Sequence, residues 1–276
     1  MSAPFLSVAE LHERMDAGEP VVLADSRWYL DGRSGREAYL GGHLPGAVFV
    51  DIDTDLAGAR GPLTGRHPLP SAQEFAAAMS RLGIADSDTV VAYDDAGGVM
   101  AARLVWMLRA LGVDAALLDG GIDAWDGELS TGEVVREPAA FAPRPWPEDL
   151  LADLDDAADP RTLVVDARPA ERFAGEGPDP DPRSGHIPGA ASVPCRENVD
   201  AGQRLLPLDT LRARFAAAGV TPERVAEGEI VSSCGSGVTA CHNLLTMEAA
   251  GLGRARLYPG SWSQYAATDR PIETGR

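Results

Sequence analysis

The feature that most constrains the fold of this chain is an internal repeat. A short apolar run ending in Asp-x-Arg, PVVLADSRW at 20–28, returns as RTLVVDARP at 161–169. GGHLPGAVFV at 41–50 likewise returns as SGHIPGAASV at 184–193. Two further matches follow in the same order and at nearly the same offset, which chance rarely produces. The sequence therefore predicts two homologous domains rather than one large one.

We place the two predicted domains at 1–136 and 150–276. The stretch between them, REPAAFAPRPWPEDL, carries four prolines and is typical of an extended linker. In each half, short apolar runs such as VVLAD and LVVDA predict buried strands. The segments MAARLVWMLRALG and TACHNLLTMEAAG predict helices that end at glycine. This alternation predicts an α/β fold in which each domain has a mainly parallel sheet with helices on both faces.

Composition narrows the range of functions. The chain has 276 residues and a formal net charge of −18. This excess of negative charge argues against a nucleic-acid partner and against binding to an anionic membrane surface. Three cysteines do not make a disulfide framework, so we expect reduced thiols and a cytoplasmic protein. No stretch reaches the roughly 18 to 20 apolar residues of a transmembrane helix.

The most informative short stretch is SSCGSGVTACHN at 232–243, where a predicted strand leads into a predicted helix. Ligands of parallel sheets bind at such carboxyl ends of strands. Gly235 and Gly237 would let successive backbone N–H groups turn inward as an anion-binding nest, and the helix would begin from Val238 onward with its first N–H groups unpaired. At the mouth of this nest, we expect Cys234 to exist partly as the nucleophilic thiolate.

Each of the three cysteines also has a plainer interpretation as a buried structural thiol. We favour that interpretation for Cys195 and Cys241. For Cys234, the coincidence of strand, cysteine, glycine-rich turn and helix favours a reactive role. The first half offers an internal comparison, because its equivalent loop, DDAGGVMA, carries Asp95 in place of the cysteine. A carboxylate is not a soft nucleophile, so the sequence predicts a catalytic second half and a non-catalytic first half.

These motifs resemble those of the tandem-domain rhodanese-type sulfurtransferases, over nearly the whole chain. YLGGHLPGAVFV at 39–50 resembles the N-terminal motif of that family, and YPGSWSQY at 258–265 resembles its C-terminal motif, with Gln264 where an acidic residue is usual. The second-half copy, PRSGHIPGA, lacks the preceding aromatic residue. The resemblance implies sulfur transfer through a persulfide on Cys234, with ping-pong kinetics and with neither a metal nor an organic cofactor.

The residues after the cysteine distinguish two branches of this family. The branch that uses thiosulfate tends to place cationic side chains there, whereas the branch that uses 3-mercaptopyruvate tends to carry CGSGVT. The neutral CGSGVTA of this chain resembles the second branch. The resemblance therefore implies a 3-mercaptopyruvate donor, pyruvate as the product, and a thiophilic acceptor such as cyanide, glutathione, thioredoxin or a biosynthetic partner.

Two further residues enter through the same resemblance. Ser236 would polarise the donor carbonyl or relay a proton, with His43 of the first half as its partner. Each has a structural alternative. A serine at this place also caps a helix, and a histidine in His-Leu-Pro-Gly also holds the turn.

Cationic partners for the donor are implied by RFAGEGPDPDPR at 172–183, which resembles the segment that supplies two substrate-binding arginines. A planar guanidinium matches a carboxylate bidentately. This stretch is about two residues longer than is usual in the family, and its alternative interpretation is a solvated loop rich in Pro and Asp. The complete predicted site has Cys234, Ser236 and His43 as catalytic residues, no metal ligands, and six substrate-binding residues: Arg172, Arg183, Gly235, Gly237, Val238 and Thr239.

Three rival functions fit parts of this pattern. Thiosulfate:cyanide sulfurtransferase activity uses the same fold. A cysteine phosphatase closes its loop with an arginine a few residues after the cysteine, where this chain continues from Val238 to Cys241 without one. A non-catalytic sulfur-carrying or scaffold module would not need a reactive cysteine. We expect a monomer that acts on small molecules.

Overall fold

The computed structural model of the chain describes residues 1–61, 63–177 and 179–275. They form two compact units, and each unit includes a short segment from the opposite half of the sequence. The first unit contains 1–58, 70–146 and 200–205, and the second unit contains 59–69, 147–199 and 206–276.

The first unit is built around a sheet in which every pairing is parallel. Its described residues form strands β1 (Phe5–Leu6), β2 (Val21–Asp25), β3 (Val48–Phe49), β4 (Thr89–Tyr93) and β5 (Ala115–Leu118), and helices α1 (Val8–Asp16), α2 (Gly35–Gly41), α3 (Ala72–Arg81) and α4 (Ala102–Ala110). The strand order is β1-β5-β4-β2-β3. The central strands, VVLAD and TVVAY, are buried along almost their whole length, which explains their continuous apolar character.

The second unit repeats this design with a smaller parallel sheet. Its described residues form strands β6 (Leu163–Asp166), β7 (Ala191–Ser192), β8 (Ile230–Ser233) and β9 (Arg256–Leu257), and helices α5 (Leu154–Ala158), α6 (Ala170–Phe173), α7 (Leu208–Ala217), α8 (Pro222–Ala226), α9 (Ala240–Ala249) and α10 (Ser261–Tyr265). The order is β7-β6-β8-β9, so the strand that precedes the cysteine loop lies inside the sheet. Both sheets with their helices confirm the predicted α/β class.

The repeated Asp-x-Arg motif has a structural reason. In the first unit, Arg27 pairs with Asp25 at 2.6 Å (Nη2 to Oδ2) and also donates to the carbonyl of Gly42. In the second unit, Arg168 pairs in the same way at 2.8 Å with Asp166. Its Nη2 also donates to the carbonyl oxygen of Gly185, at 2.7 Å. Each buried ion pair therefore ties the end of a central strand to the loop that carries the histidine motif.

The histidines of that motif are part of the same local framework. His43 stacks on Tyr39 with ring centroids 4.3 Å apart, and its Nδ1 lies 2.9 Å from the Tyr39 carbonyl oxygen. His186 stacks on Phe173 at 3.7 Å, and its Nδ1 lies 2.8 Å from the Phe173 carbonyl oxygen. Each ring therefore packs between the end of a helix and the turn that follows it. This is the structural role that the sequence analysis gave as the alternative for His43. In the ranges that the structure describes, no helix has the length and apolar composition needed to cross a bilayer.

Candidate active site

Cys234 is the first residue after β8, at the carboxyl end of a central parallel strand. Its backbone is held on both sides by the first turn of α10. The N–H of Cys234 donates to Ser261 Oγ at 3.1 Å, and the N–H of Trp262 donates to the Cys234 carbonyl at 3.0 Å. The N–H of Ser263 donates to the carbonyl of Gly235 at 2.9 Å. The cysteine loop therefore leaves the strand in one defined direction, and the YPGSWSQY motif supplies the residues that hold it.

Gly237 has a backbone conformation that only glycine adopts easily here. Its φ is +77°, and a Cβ at this position would lie 2.4 Å from the backbone oxygen of Pro259. In this conformation the Gly237 N–H donates to Cys234 Sγ at 3.1 Å. A backbone donor on the sulfur stabilises its anionic form. Helix α9 begins just beyond, with Thr239 as its N-cap residue and Val238 buried before it.

In the first unit, the backbone N–H groups of the equivalent loop hold a carboxyl side chain. Asp94, not Asp95, occupies the position of Cys234, because the N–H of Ile122 donates to its carbonyl as that of Trp262 does to Cys234. The Asp94 carboxylate accepts four backbone N–H groups at 2.7–2.9 Å, from Ala96, Gly98, Met100 and Ala101. Burial raises the pKa of this carboxyl, and the four donors oppose that rise. The repeat therefore forms a nest of N–H groups that holds an anionic side chain. Asp95 instead accepts from the Tyr29 hydroxyl at 2.7 Å.

Ser236 has a histidine partner that differs from the predicted one. His67 Nδ1 lies 2.8 Å from Ser236 Oγ, and both residues are buried in the second unit. His67 belongs to 59–69, the segment of the first sequence half that is part of the second unit. His67 Nε2 in turn lies 3.5 Å from Arg60 Nη2. The described contacts of His43 are with residues of its own unit, so His67 takes the place that the sequence analysis gave to His43.

Two arginines lie against the backbone of Gly235. A Cβ at this position would lie 2.9 Å from Arg66 Nη2 and 3.6 Å from both terminal nitrogens of Arg172. The absence of a side chain at Gly235 therefore leaves room for two guanidinium groups directly after the cysteine. Arg172 is one of the predicted substrate-binding residues. Arg66 was not predicted, and its one sequence signal is that it directly precedes His67.

Two aspartates neutralise these arginines. The Asp181 carboxylate is hydrogen-bonded to Arg66, and its second oxygen lies 3.7 Å from Arg172 Nη2. Asp179 accepts from Arg172 Nη2 at 3.0 Å and lies 3.6 Å from Nη1 of Arg168. Burial raises the pKa of Asp181, and the guanidinium of Arg66 opposes that rise. The aspartates of the segment 172–183, for which a solvated loop is the alternative interpretation, are thus in contact with the arginines at the cysteine.

Arg183, the second predicted substrate-binding arginine, is placed differently. Its three nitrogens donate to the backbone carbonyls of Ala266, Arg270 and Tyr265, at 3.0, 2.9 and 3.3 Å. It therefore joins the loop before the His186 motif to the C-terminal segment. The geometry assigns it a structural contact rather than a place beside the cysteine.

The other two cysteines occupy buried structural positions. Burial raises the pKa of the Cys195 thiol to about 12. The Cys241 thiol, on α9, donates to the Gly237 carbonyl at 3.5 Å. All three cysteines are free thiols. Among the described residues, no group of three or more His, Cys, Asp or Glu side chains is arranged to hold a metal ion.

These observations define a class of protein: an α/β protein with a cysteine that accepts a backbone N–H in a glycine-rich loop and with guanidinium groups beside it. The sequence profile of the rhodanese-like domain matches residues 7–128 and 147–268, so the chain belongs to the rhodanese-like family. This finding confirms the resemblance stated from the motifs.

Relatives match over the full chain. The "Probable 3-mercaptopyruvate sulfurtransferase" of Pseudomonas aeruginosa is 40% identical over 99% of each chain. "Thiosulfate/3-mercaptopyruvate sulfurtransferase 2" of Arabidopsis thaliana is 33% identical over 98% of this chain and 86% of its own. The solved structure of 3-mercaptopyruvate sulfurtransferase from Leishmania major superimposes with a TM-score of 0.86 at 32% identity, covering 98% of this chain and 75% of its own.

Proposed function

We propose that this protein is a sulfurtransferase that moves a sulfane sulfur from 3-mercaptopyruvate through Cys234 to a thiophilic acceptor. The observation that carries the proposal is the grouping at one loop of a thiol that accepts a backbone N–H, a serine–histidine pair and two guanidinium groups. Such a site can hold a carboxylate, polarise a carbonyl and accept a sulfur. Relatives named 3-mercaptopyruvate sulfurtransferase over the whole chain length support it.

In the first half-reaction, the Cys234 thiolate attacks the sulfur of the donor. The carbon–sulfur bond breaks, and its electron pair goes to the donor carbon, which gives the enolate of pyruvate. Ser236 and His67 provide a buried hydroxyl–imidazole pair that can deliver a proton to this enolate or stabilise its oxygen. Arg66 and Arg172 would bind the donor carboxylate through planar, charge-assisted hydrogen bonds.

The persulfide that remains is Cys234–S–SH, and a hydrogen-bond donor at its inner sulfur stabilises the thiolate that leaves when the outer sulfur is attacked. The N–H of Gly237 already donates to Sγ. Asp94 in the first unit supports this role, because four N–H groups of the corresponding loop converge on one carboxyl group there. In the second half-reaction, an acceptor thiolate or cyanide attacks the outer sulfur, and Cys234 leaves as the thiolate.

Thiosulfate is the second candidate donor, and the charges of the site argue against it. The formal charges of Arg66, Arg168 and Arg172 are matched by those of three aspartates in contact with them. A site with balanced charges gives a dianion little net attraction. We therefore expect kcat/KM to be higher with 3-mercaptopyruvate, and a clear preference for thiosulfate would reverse the assignment.

The decisive experiment is an assay with both donors that detects pyruvate and sulfide. Mass spectrometry after incubation with 3-mercaptopyruvate and without acceptor should find one added sulfur, about 32 Da, on Cys234. Cys234→Ser should abolish transfer, and the matched control Cys241→Ser should retain most of it. Absence of the adduct from Cys234 would refute the catalytic assignment.

The acceptor we propose is a small thiol or the dithiol of a protein such as thioredoxin. Three free cysteines without a disulfide are typical of a reducing compartment, so we propose that the protein acts in the cytoplasm. We propose that it acts as a monomer, since the site residues described above all come from one chain and one unit.

A further inference from the structure

The loop that carries the nucleophile is covered in this structure. Cys234 as a whole residue is 2% exposed and Ser236 is 9% exposed. The guanidinium groups that lie against Gly235 belong to Arg66 and Arg172. A donor therefore reaches the sulfur only if side chains at this loop move.

The two arginines are held in place by Asp179 and Asp181. The side chains of these aspartates are only 3% and 4% exposed. Asp181 contacts both arginines, one through each carboxylate oxygen. A carboxylate between two guanidinium groups, next to the nucleophile, has the chemistry and the position that the donor carboxylate needs.

The cluster is poorly satisfied as it stands. Within the described residues, four of its buried polar atoms have no hydrogen-bond partner: Arg168 Nη1, Arg172 Nε, Asp179 Oδ2 and Asp181 Oδ2. A buried charged group with an unmade hydrogen bond destabilises the arrangement that contains it. An incoming anion with more acceptor atoms can therefore replace the contacts that the aspartates make with the arginines.

Building on the proposed function, we propose that Asp181 occupies the donor carboxylate position at Arg66 and Arg172, and that the donor binds by displacing it. Asp181 is then a determinant of donor affinity. It competes with every anionic ligand of the site, and it keeps the thiolate covered until an anion of the right shape takes its place. Asp179, which stays on Arg168 and Arg172, would keep Arg172 aligned during the exchange.

The test is the isosteric change Asp181→Asn, which removes the charge and keeps the shape. We expect the KM for 3-mercaptopyruvate to fall about fivefold or more and kcat to stay within about twofold, because a charged competitor is lost while the catalytic groups remain. The matched control Asp209→Asn removes the same charge from an exposed site on α7 and should leave both constants unchanged. Asp181→Glu, which keeps the charge, should lower KM less than Asp181→Asn does.

A binding experiment separates this proposal from the proposed function. In the Cys234→Ser background, calorimetric titration with pyruvate and with thiosulfate measures anion affinity without turnover. Asp181→Asn should bind both anions at least about fivefold more tightly, whichever donor the enzyme uses. Equal or weaker binding by a folded Asp181→Asn protein would overturn the proposal and make Asp181 a residue that positions the arginines. A fall in KM with Asp181→Glu equal to that with Asp181→Asn would also overturn it.

Discussion

Replacing Gly237 by alanine tests the geometry of the cysteine loop most directly. An L-residue at φ +77° costs about 1–2 kcal/mol of backbone strain. The new Cβ would also lie 2.4 Å from the Pro259 backbone oxygen, and such overpacking costs about 1–3 kcal/mol. The lower entropy of the unfolded alanine chain offsets about 0.4–1 kcal/mol. We expect Gly237→Ala to lower the free energy of unfolding by about 2–4 kcal/mol.

Gly251 provides the matched control. It has nearly the same φ, +74°, at the end of α9, and a Cβ there would meet no described atom within 4 Å. Gly251→Ala should therefore cost about 1 kcal/mol or less, from backbone strain alone. Urea denaturation of both variants separates the contact with Pro259 from the strain. A loss in Gly237→Ala no larger than that in Gly251→Ala would refute the close approach of the loop to Pro259.

The variants Gly237→Ala and Gly251→Ala also separate an effect on stability from an effect on catalysis. Relief of the contact moves the Gly237 N–H away from Cys234 Sγ, and a displacement of about 1 Å at a reacting group costs about 100-fold in rate. We expect Gly237→Ala to lose about that factor in kcat/KM at a temperature where it is fully folded, whereas Gly251→Ala keeps the wild-type value. Wild-type kcat/KM in folded Gly237→Ala would mean that this N–H does not stabilise the sulfur.

Three other predictions follow from the site. His67→Asn and Ser236→Ala should each lower kcat by about 10²–10⁴ in steady-state kinetics. The double variant should lose no more activity than either single variant, because the two residues act together. Additive losses would contradict a shared role. Arg183→Met should lower the free energy of unfolding by about 2–4 kcal/mol in urea titrations and change KM by less than threefold. A large rise in KM with little loss of stability would instead place Arg183 in the donor site. Burial raises the pKa of Cys195 to about 12. Little of this thiol is therefore ionised at pH 8, and its thiolate form increases only as the pH rises toward the pKa. Iodoacetamide followed by peptide mass mapping should therefore leave Cys195 unmodified at pH 8 in the folded protein, and rapid labelling of Cys195 would contradict its burial.

The register of the repeat could be predicted only approximately. Aligning the glycines of the two loops placed Asp95 opposite Cys234, but the strands place Asp94 there. The ladder between β6 and β8 pairs Asp166 with Ser233, and that between β2 and β4 pairs Asp25 with Tyr93. Strand hydrogen bonds determine which residue leaves the sheet first, whereas glycines in the loop tolerate a difference in length.

Arg183 shows a different limit. A motif can indicate that an arginine is present, but the partners of a long, charged side chain depend on which carbonyls and carboxylates come within its reach. Here the C-terminal segment binds Arg183 through three carbonyls, and Arg172 together with Arg66 lies beside Gly235.

The amino-acid sequence by itself determined the features that depend on neighbours close along the chain or on the repeat. These are the parallel α/β fold, its duplication, the Asp-x-Arg pairs, and the place of Cys234 between a strand and a helix. Only the tertiary structure decided which side chains complete the site. His67 and Arg66 come from 59–69, a segment without a counterpart among the repeat matches, and Asp181 comes from a loop in which only the arginines were predicted to belong to the site. Folding brings these residues to one loop across large sequence separations, and no local pattern records contacts of that kind.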